Sequence, residues 1–295
     1  MNMTKVEQLL ADGHADAQFS RGFEHGFNGS RRDPWETEIW AAFRARAGYK
    51  ATASKILTSA AAQHKLGMSD IETVGLMLTP ERGIMRPEFD DLRQAYGLEG
   101  AFNLCPWAST GCASACLTFS GQSGMPAAQY AQGVRTLFML SNPGAFFYLI
   151  GWELGSLARR KGEVAFRFNT TSDIRIERIL VTGMDYARAH GVHWYDYTKA
   201  PAHQRPEGAG YDLTRSASER HTEGDIKELV ASGERVAVPF FYGKDEAFPE
   251  TWLGMPVIDG DTSDYRPQDR KGAVLALRVK GHKGARDESG FIRNF

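Results

Sequence analysis

VAFRFNTTSDIRIERILVTGMDYARAHGVHWYDYTK, residues 164–199, carries the grammar of the whole chain. Val164 to Phe168 is a short apolar run that stops at the polar turn Asn169-Thr-Thr-Ser-Asp173. Ile176 to His190 has the apolar spacing of a helix, and His193 to Thr198 is a second strand-like run ending in polar groups. The alternation continues C-terminally. Tyr211 to Arg215 reads as a strand, Glu223 to Ser232 as a helix, and Val236 to Tyr242, Pro256 to Ile258 and Ala273 to Val279 as further strands. Upstream, Pro126 to Leu140 and Pro143 to Lys161 read as helices, the second with Asn142 as its cap. Strands alternating with helices, each strand closing on Asp, Asn, Thr or Lys, predict an α/β fold. Its core, over residues 67–295, is expected to be a parallel (βα) barrel-like or partial-barrel unit. In such folds the chemistry collects at the C-terminal ends of the strands.

The first 66 residues read as an N-terminal helical extension: Lys5 to Ala11, Asp16 to Phe27, Pro34 to Ala47, and a further run over Ala51 to Leu66. A helical hairpin with Phe23, Phe27, Trp40 and Phe43 as its own core is the expected packing. Apolar residues make up 42% of the 295 and charged residues 24%, which excludes a disordered chain. Lys plus Arg (35) balances Asp plus Glu (36), so no global charge recruits nucleic acid or anionic lipid. Any nucleic-acid or nucleotide contact must come from local basic loops such as Arg266–Lys271 and Lys280–Arg286. No apolar stretch reaches the ~18–20 residues of a membrane helix, and the N-terminus lacks the order of a secretory signal. The expectation is a soluble, cytoplasmic protein with no membrane partner.

The three cysteines of the chain, Cys105, Cys112 and Cys116, fall within one stretch, CPWASTGCASAC. An odd, clustered set is not a disulfide framework. Three thiolates on a Gly- and Ser-rich loop suit a soft or borderline metal. A 4Fe–4S cluster held by three cysteines leaves one iron open. Zinc, the alternative, needs a fourth ligand such as His193, His221 or His282, or a water.

NLCPWASTGCASACLTFSGQSG, then FRFNTTSDIRIE and HWYDYTKAP, resemble an uncharacterised family of phages and plasmids that includes the mycobacteriophage gene-eighty-eight product. The matching positions are Cys105, Pro106, Cys112, Cys116, Arg167, Asn169, Ser172, Asp173, Tyr195, Asp196, Tyr197, Thr198 and Lys199. If the chain is phage-encoded, the compartment is the host cytoplasm. A looser resemblance is to radical S-adenosylmethionine enzymes, whose clustered cysteines hold a 4Fe–4S cluster that binds the nucleotide cofactor. Cys112-x3-Cys116 repeats one of their intervals, but Phe119 stands where their third cysteine falls, so Cys105 would supply it. This resemblance implies S-adenosylmethionine as a cofactor, with Asn169, Ser172 and Asp173 holding it.

The polar groups expected at a common cavity are Asp173, Asp196, Lys199, Glu219, Asp259, Asp261 and Asp264. Asp173, Asp196 and Lys199 are the catalytic candidates, since paired carboxylates at adjacent strand ends suit acid–base work. There is no Walker loop, Ser nucleophile elbow or zinc-protease spacing. Three functions follow. The first is a phage-associated metalloenzyme with a three-cysteine iron–sulfur site that modifies a nucleic acid, nucleotide or small metabolite. The second is a zinc-containing base-exchanging transglycosylase acting on DNA or RNA guanine, with Asp173 and Asp196 as acid/base and nucleophile. The third is a metal-stapled host-interaction protein using the N-terminal helices as its contact surface.

Overall fold

A computed structural model of the chain describes all residues except 1–2, 50–54, 60–70, 101, 207, 209, 244–245, 281–283 and 285. Ten helices are described: α1 Lys5–Asp12, α2 Ala15–Phe27, α3 Pro34–Arg46, α4 Glu81–Ile84, α5 Asp90–Ala95, α6 Thr110–Ser114, α7 Pro126–Ser141, α8 Pro143–Lys161, α9 Val181–Ala189 and α10 Glu223–Ala231. The strands are β1 Thr58–Ser59, β2 Glu72–Gly75, β3 Val164–Arg167, β4 Val192–Thr198, β5 Tyr211–Ser216, β6 Arg235–Phe240, β7 Thr251–Trp252, β8 Met255–Asp259 and β9 Ala273–Arg278. They form one sheet in the order β1-β2-β3-β4-β5-β6-β9-β8-β7. From β2 to β8 every neighbour is parallel; β1 pairs antiparallel with β2, and β7 with β8.

The α/β expectation holds for a mostly parallel sheet, with one correction to the barrel-like or partial-barrel form expected: the sheet is open and not a closed barrel. A barrel closes by pairing its first strand with its last, and here the antiparallel strands β1 and β7 occupy the two edges. β9 also slips between β6 and β8, so sequence order and spatial order part at that end.

Side-chain alternation splits the sheet into two unlike faces. Val164, Phe166, Trp194 and Leu213 point into a large apolar core with Leu137, Phe147, Ile150 and Leu154 from α7 and α8. The opposite face is small and polar: Ala165, Tyr195 and Tyr265 are its only sizeable buried apolar group among the described residues. Around them sit ion pairs from Arg167 to Asp264, Arg235 to Asp212 and Arg266 to Asp269.

Helix α2 lies directly against α8 because both carry glycines four apart at the crossing. A methyl on Gly22 would sit 2.1 Å from the Tyr148 carbonyl oxygen, and one on Gly26 2.2 Å from that of Trp152. In return, Gly151 meets the Phe19 oxygen at 2.4 Å and Gly155 that of Phe23 at 2.2 Å. Small residues at this spacing let two backbones touch.

The expected self-contained hairpin core is therefore replaced by a shared one. Phe19 packs on Trp194, Phe23 on Tyr186, and Trp40 and Phe43 on Phe138. Glu7, in a capping box with Thr4, also pairs with the buried Arg175 at 2.6 Å. The boundary expected at 66/67 and most of the helix expected over Ala51–Leu66 lie outside the described residues; Thr58–Ser59, within that run, is strand β1. Asn142 precedes α8 but makes no side-chain cap bond. No helix is long and apolar enough to cross a membrane, among the described residues.

Candidate functional site

A cavity of about 780 Å³ opens over the polar face at the C-terminal ends of the parallel strands. Its floor follows from alternation: Arg167 of β3, Tyr197 of β4, Ser216 of β5, Ala237 and Pro239 of β6 and Leu277 of β9 all line it. The strand ends thus border a cavity. The volume lies within the ~300–1,000 Å³ of small-ligand sites.

The cysteine segment forms the roof, tied down at both sides. Asp173 donates its backbone N–H to the Leu104 carbonyl at 2.8 Å, and the Cys105 thiol lies 3.8 Å from the Thr171 carbonyl as donor. On the far side, Glu219 receives the Ser109 hydroxyl at 2.6 Å and the Gly111 N–H at 2.9 Å. Ser109 in turn caps α6 by accepting the Cys112 N–H. Burial of Glu219, which would raise its carboxyl, is outweighed by these Gly111 and Ser109 bonds, and it titrates below the usual range. Glu219 therefore braces the roof.

Cys105, Cys112 and Cys116 are free, partly buried and all line the cavity. Burial first, and then Asp173 and the other two sulfurs, push the Cys105 thiol far up. Among the described residues, no three His, Cys, Asp or Glu side chains are gathered at metal-binding spacing.

The remaining expected site residues divide by strand parity. Asn169, Ser172, Asp173, Lys199, Asp261 and Asp264 line the cavity. Asn169 and Ser172 are occupied in shaping their own turn: the Asn169 side-chain oxygen Oδ1 accepts the Ser172 hydroxyl and the Ile174 N–H, both at 2.8 Å. Asp173 accepts the Thr198 hydroxyl and the Lys199 N–H at 2.8 Å and pairs with Arg205 at 3.0 Å. Asp196 does not line the cavity. It shares a face with Trp194, is 0% exposed, and accepts the Asn169 N–H, the Asn169 amide and the Tyr211 hydroxyl. Burial pushes its carboxyl up to about 6, against the pull of Arg205 and Arg167. Asp259 and Asp261 grip Arg278, and Asp264 holds Arg167. Of the basic loops, Arg266 is buried and Lys271 pairs with Asp212; residues 281–283 and 285 lie outside the described residues.

The family described as Gene product 88 matches residues 55–294. The chain belongs to the Gene product 88 family. No curated protein and no solved structure matches it, and the looser likeness to radical S-adenosylmethionine enzymes gains no support from these comparisons. The match includes the roof, every described strand and the cavity, and it leaves out α1–α3. In this Gene product 88 member the residues to which sequence reading gave no role are two arginines, Arg205 and Arg167, the latter named only as a family-matching position. Arg205, fully buried, joins Asp173, Glu177 and Tyr211 beneath the turn after β3. Arg167 reaches the cavity floor while stacked 4.5 Å from the Tyr197 ring centre. The available signal was parity: Arg167 alternates with Phe166 and Phe168 in a run whose other face is apolar.

Proposed function

We propose that the cavity is a metallocofactor chamber in which Cys105, Cys112 and Cys116 hold a 4Fe–4S cluster and the strand-end groups position a nucleotide or small metabolite for modification. One observation carries this reading: three free thiols from a twelve-residue segment line a single cavity above parallel strand ends. The donor set is chemically suited, being all sulfur, and loading would draw the three sulfurs together. When bound, a three-cysteine cluster supplies an electron and one iron with a free position. S-adenosylmethionine is the first cofactor to try there.

The chain's own residues prepare the chamber. Glu219 and Leu104 fix the two ends of the roof, Asp173 locks the ends of β3 and β4 together, and Lys199 offers a cation beside the cysteines. In this reading β2 to β6 act as a partial barrel whose mouth is the chamber. A reducing cytoplasm, that of the host for a phage protein, is the compartment that keeps such thiols free. The transglycosylase reading lacks a supporting observation, because Asp196 does not line the cavity. The host-interaction reading is disfavoured too: most of the aromatic rings of α2 and α3 are buried, and Trp35, at 68% exposure, is the main exception.

The test is anaerobic purification with iron and sulfide assays. Brown protein absorbing near about 400 nm, with iron lost in Cys112→Ala and retained in Asp173→Asn, is the expected result. One equivalent of zinc without iron transfers the site to zinc, and metal-free protein that resists reconstitution overturns the reading. Release of deoxyadenosine from S-adenosylmethionine by reduced protein tests the radical version.

A further inference from the structure

The cavity has a second feature that the cysteines do not explain. Two cations reach it from adjacent strand ends, Arg167 at the end of β3 and Lys199 just past β4. Most other charges around the site are spoken for: Asp173 with Arg205, Asp261 with Arg278 and Lys280, Asp264 with Arg167. Lys199 is different. Its backbone N–H serves Asp173, but its ammonium has no carboxylate within ion-pair distance among the described residues, and its recorded neighbour is the Phe291 ring, 5.5 Å from centroid to Nζ. Arg167 spends one nitrogen on Asp264, 2.9 Å away, and its Nε lies 3.8 Å from Asp196, beyond hydrogen-bond reach. The same cavity also carries apolar lining: Ala237, Pro239 and Leu277 along the floor, with Phe291 and Ile292.

An ammonium with no carboxylate partner among the described residues and a guanidinium lining the same cavity make a site for a compact anion. Apolar lining in the same cavity suits an uncharged, aromatic body on the same ligand. We propose that this half of the cavity seats a phosphate monoester carried on an aromatic body, a nucleoside monophosphate in size and chemistry, with Lys199 and Arg167 on the phosphate. The proposal deepens the chamber reading by naming the substrate class, and it calls on none of the cysteines.

The experiment is calorimetric titration of the full chain, as purified, with adenosine monophosphate, adenosine, inorganic phosphate and S-adenosylmethionine; iron is assayed on the same samples. Adenosine monophosphate should bind at least about tenfold tighter than adenosine or phosphate alone. Lys199→Met keeps the aliphatic stem against Phe291 but removes the charge, and should weaken the monophosphate by about tenfold or more with unchanged iron content. Lys199→Arg should restore most of the affinity. Tight binding of S-adenosylmethionine that is equally sensitive to Lys199→Met would identify the seated anion as a carboxylate and overturn the phosphate assignment. Equal affinity for adenosine and its monophosphate, an unaffected Lys199→Met, or no binding at all overturns the site. Absence of iron with the monophosphate still bound removes the cluster reading alone.

Discussion

Asp196 shows how one residue's parity fixes its role. In the run His193-Trp-Tyr-Asp-Tyr-Thr198, Tyr197 looks into the cavity, while Asp196 points with Trp194 toward the helices. Its carboxyl is satisfied by Asn169 and Tyr211 and is shifted up by burial to about 6 from 3.8. The folded state therefore binds its proton more tightly than the unfolded chain does between these values. Stability from this group is greatest below about pH 4, falls as pH rises toward 6, and is level above, by about 3 kcal/mol at most. Urea unfolding across that range should show the slope in the wild type. Asp196→Asn should lose it and cost about 2–4 kcal/mol at pH 7, because an amide cannot accept from every partner.

At the scale of elements, the α2–α8 crossing rests on the absence of four side chains. Gly22→Ala or Gly155→Ala places a methyl about 2 Å from a backbone oxygen that cannot swing aside. Each should cost about 1–3 kcal/mol or more by chemical denaturation. Gly224 makes the contrast: it is exposed in α10, with its nearest neighbour the Thr222 hydroxyl at 3.5 Å. There the same change should stabilise by about 0.5–1 kcal/mol, the ordinary helix-propensity gain. The two results together separate packing from propensity.

For the whole molecule, α1–α3 lie outside the Gene product 88 match and yet share its core. The buried pair of Glu7 and Arg175, 0% and 2% exposed at their side chains, ties α1 to the turn after β3. Glu7→Gln should cost about 3–5 kcal/mol and lower a single transition, seen alike by tryptophan fluorescence and circular dichroism; separate transitions would mean the N-terminal helices unfold on their own. Local sequence carried much of this architecture. The strands from Val164, His193, Tyr211, Val236 and Ala273, and the helices after Pro126, Pro143 and Glu223, were legible because alternation and helix starts are local properties. The short strands β1, β2 and β7 were not, since two to four residues hold too little periodicity. The candidate site divides in the same way. Amino-acid order alone grouped the three sulfurs and placed Asp173 and Lys199 after strands. Packing in three dimensions turned Asp196 away, made Glu219 a brace, left Lys199 without a carboxylate partner among the described residues and kept the sheet open. Those outcomes depend on which distant chain segments meet, and a charge acquires its role from the partner it meets.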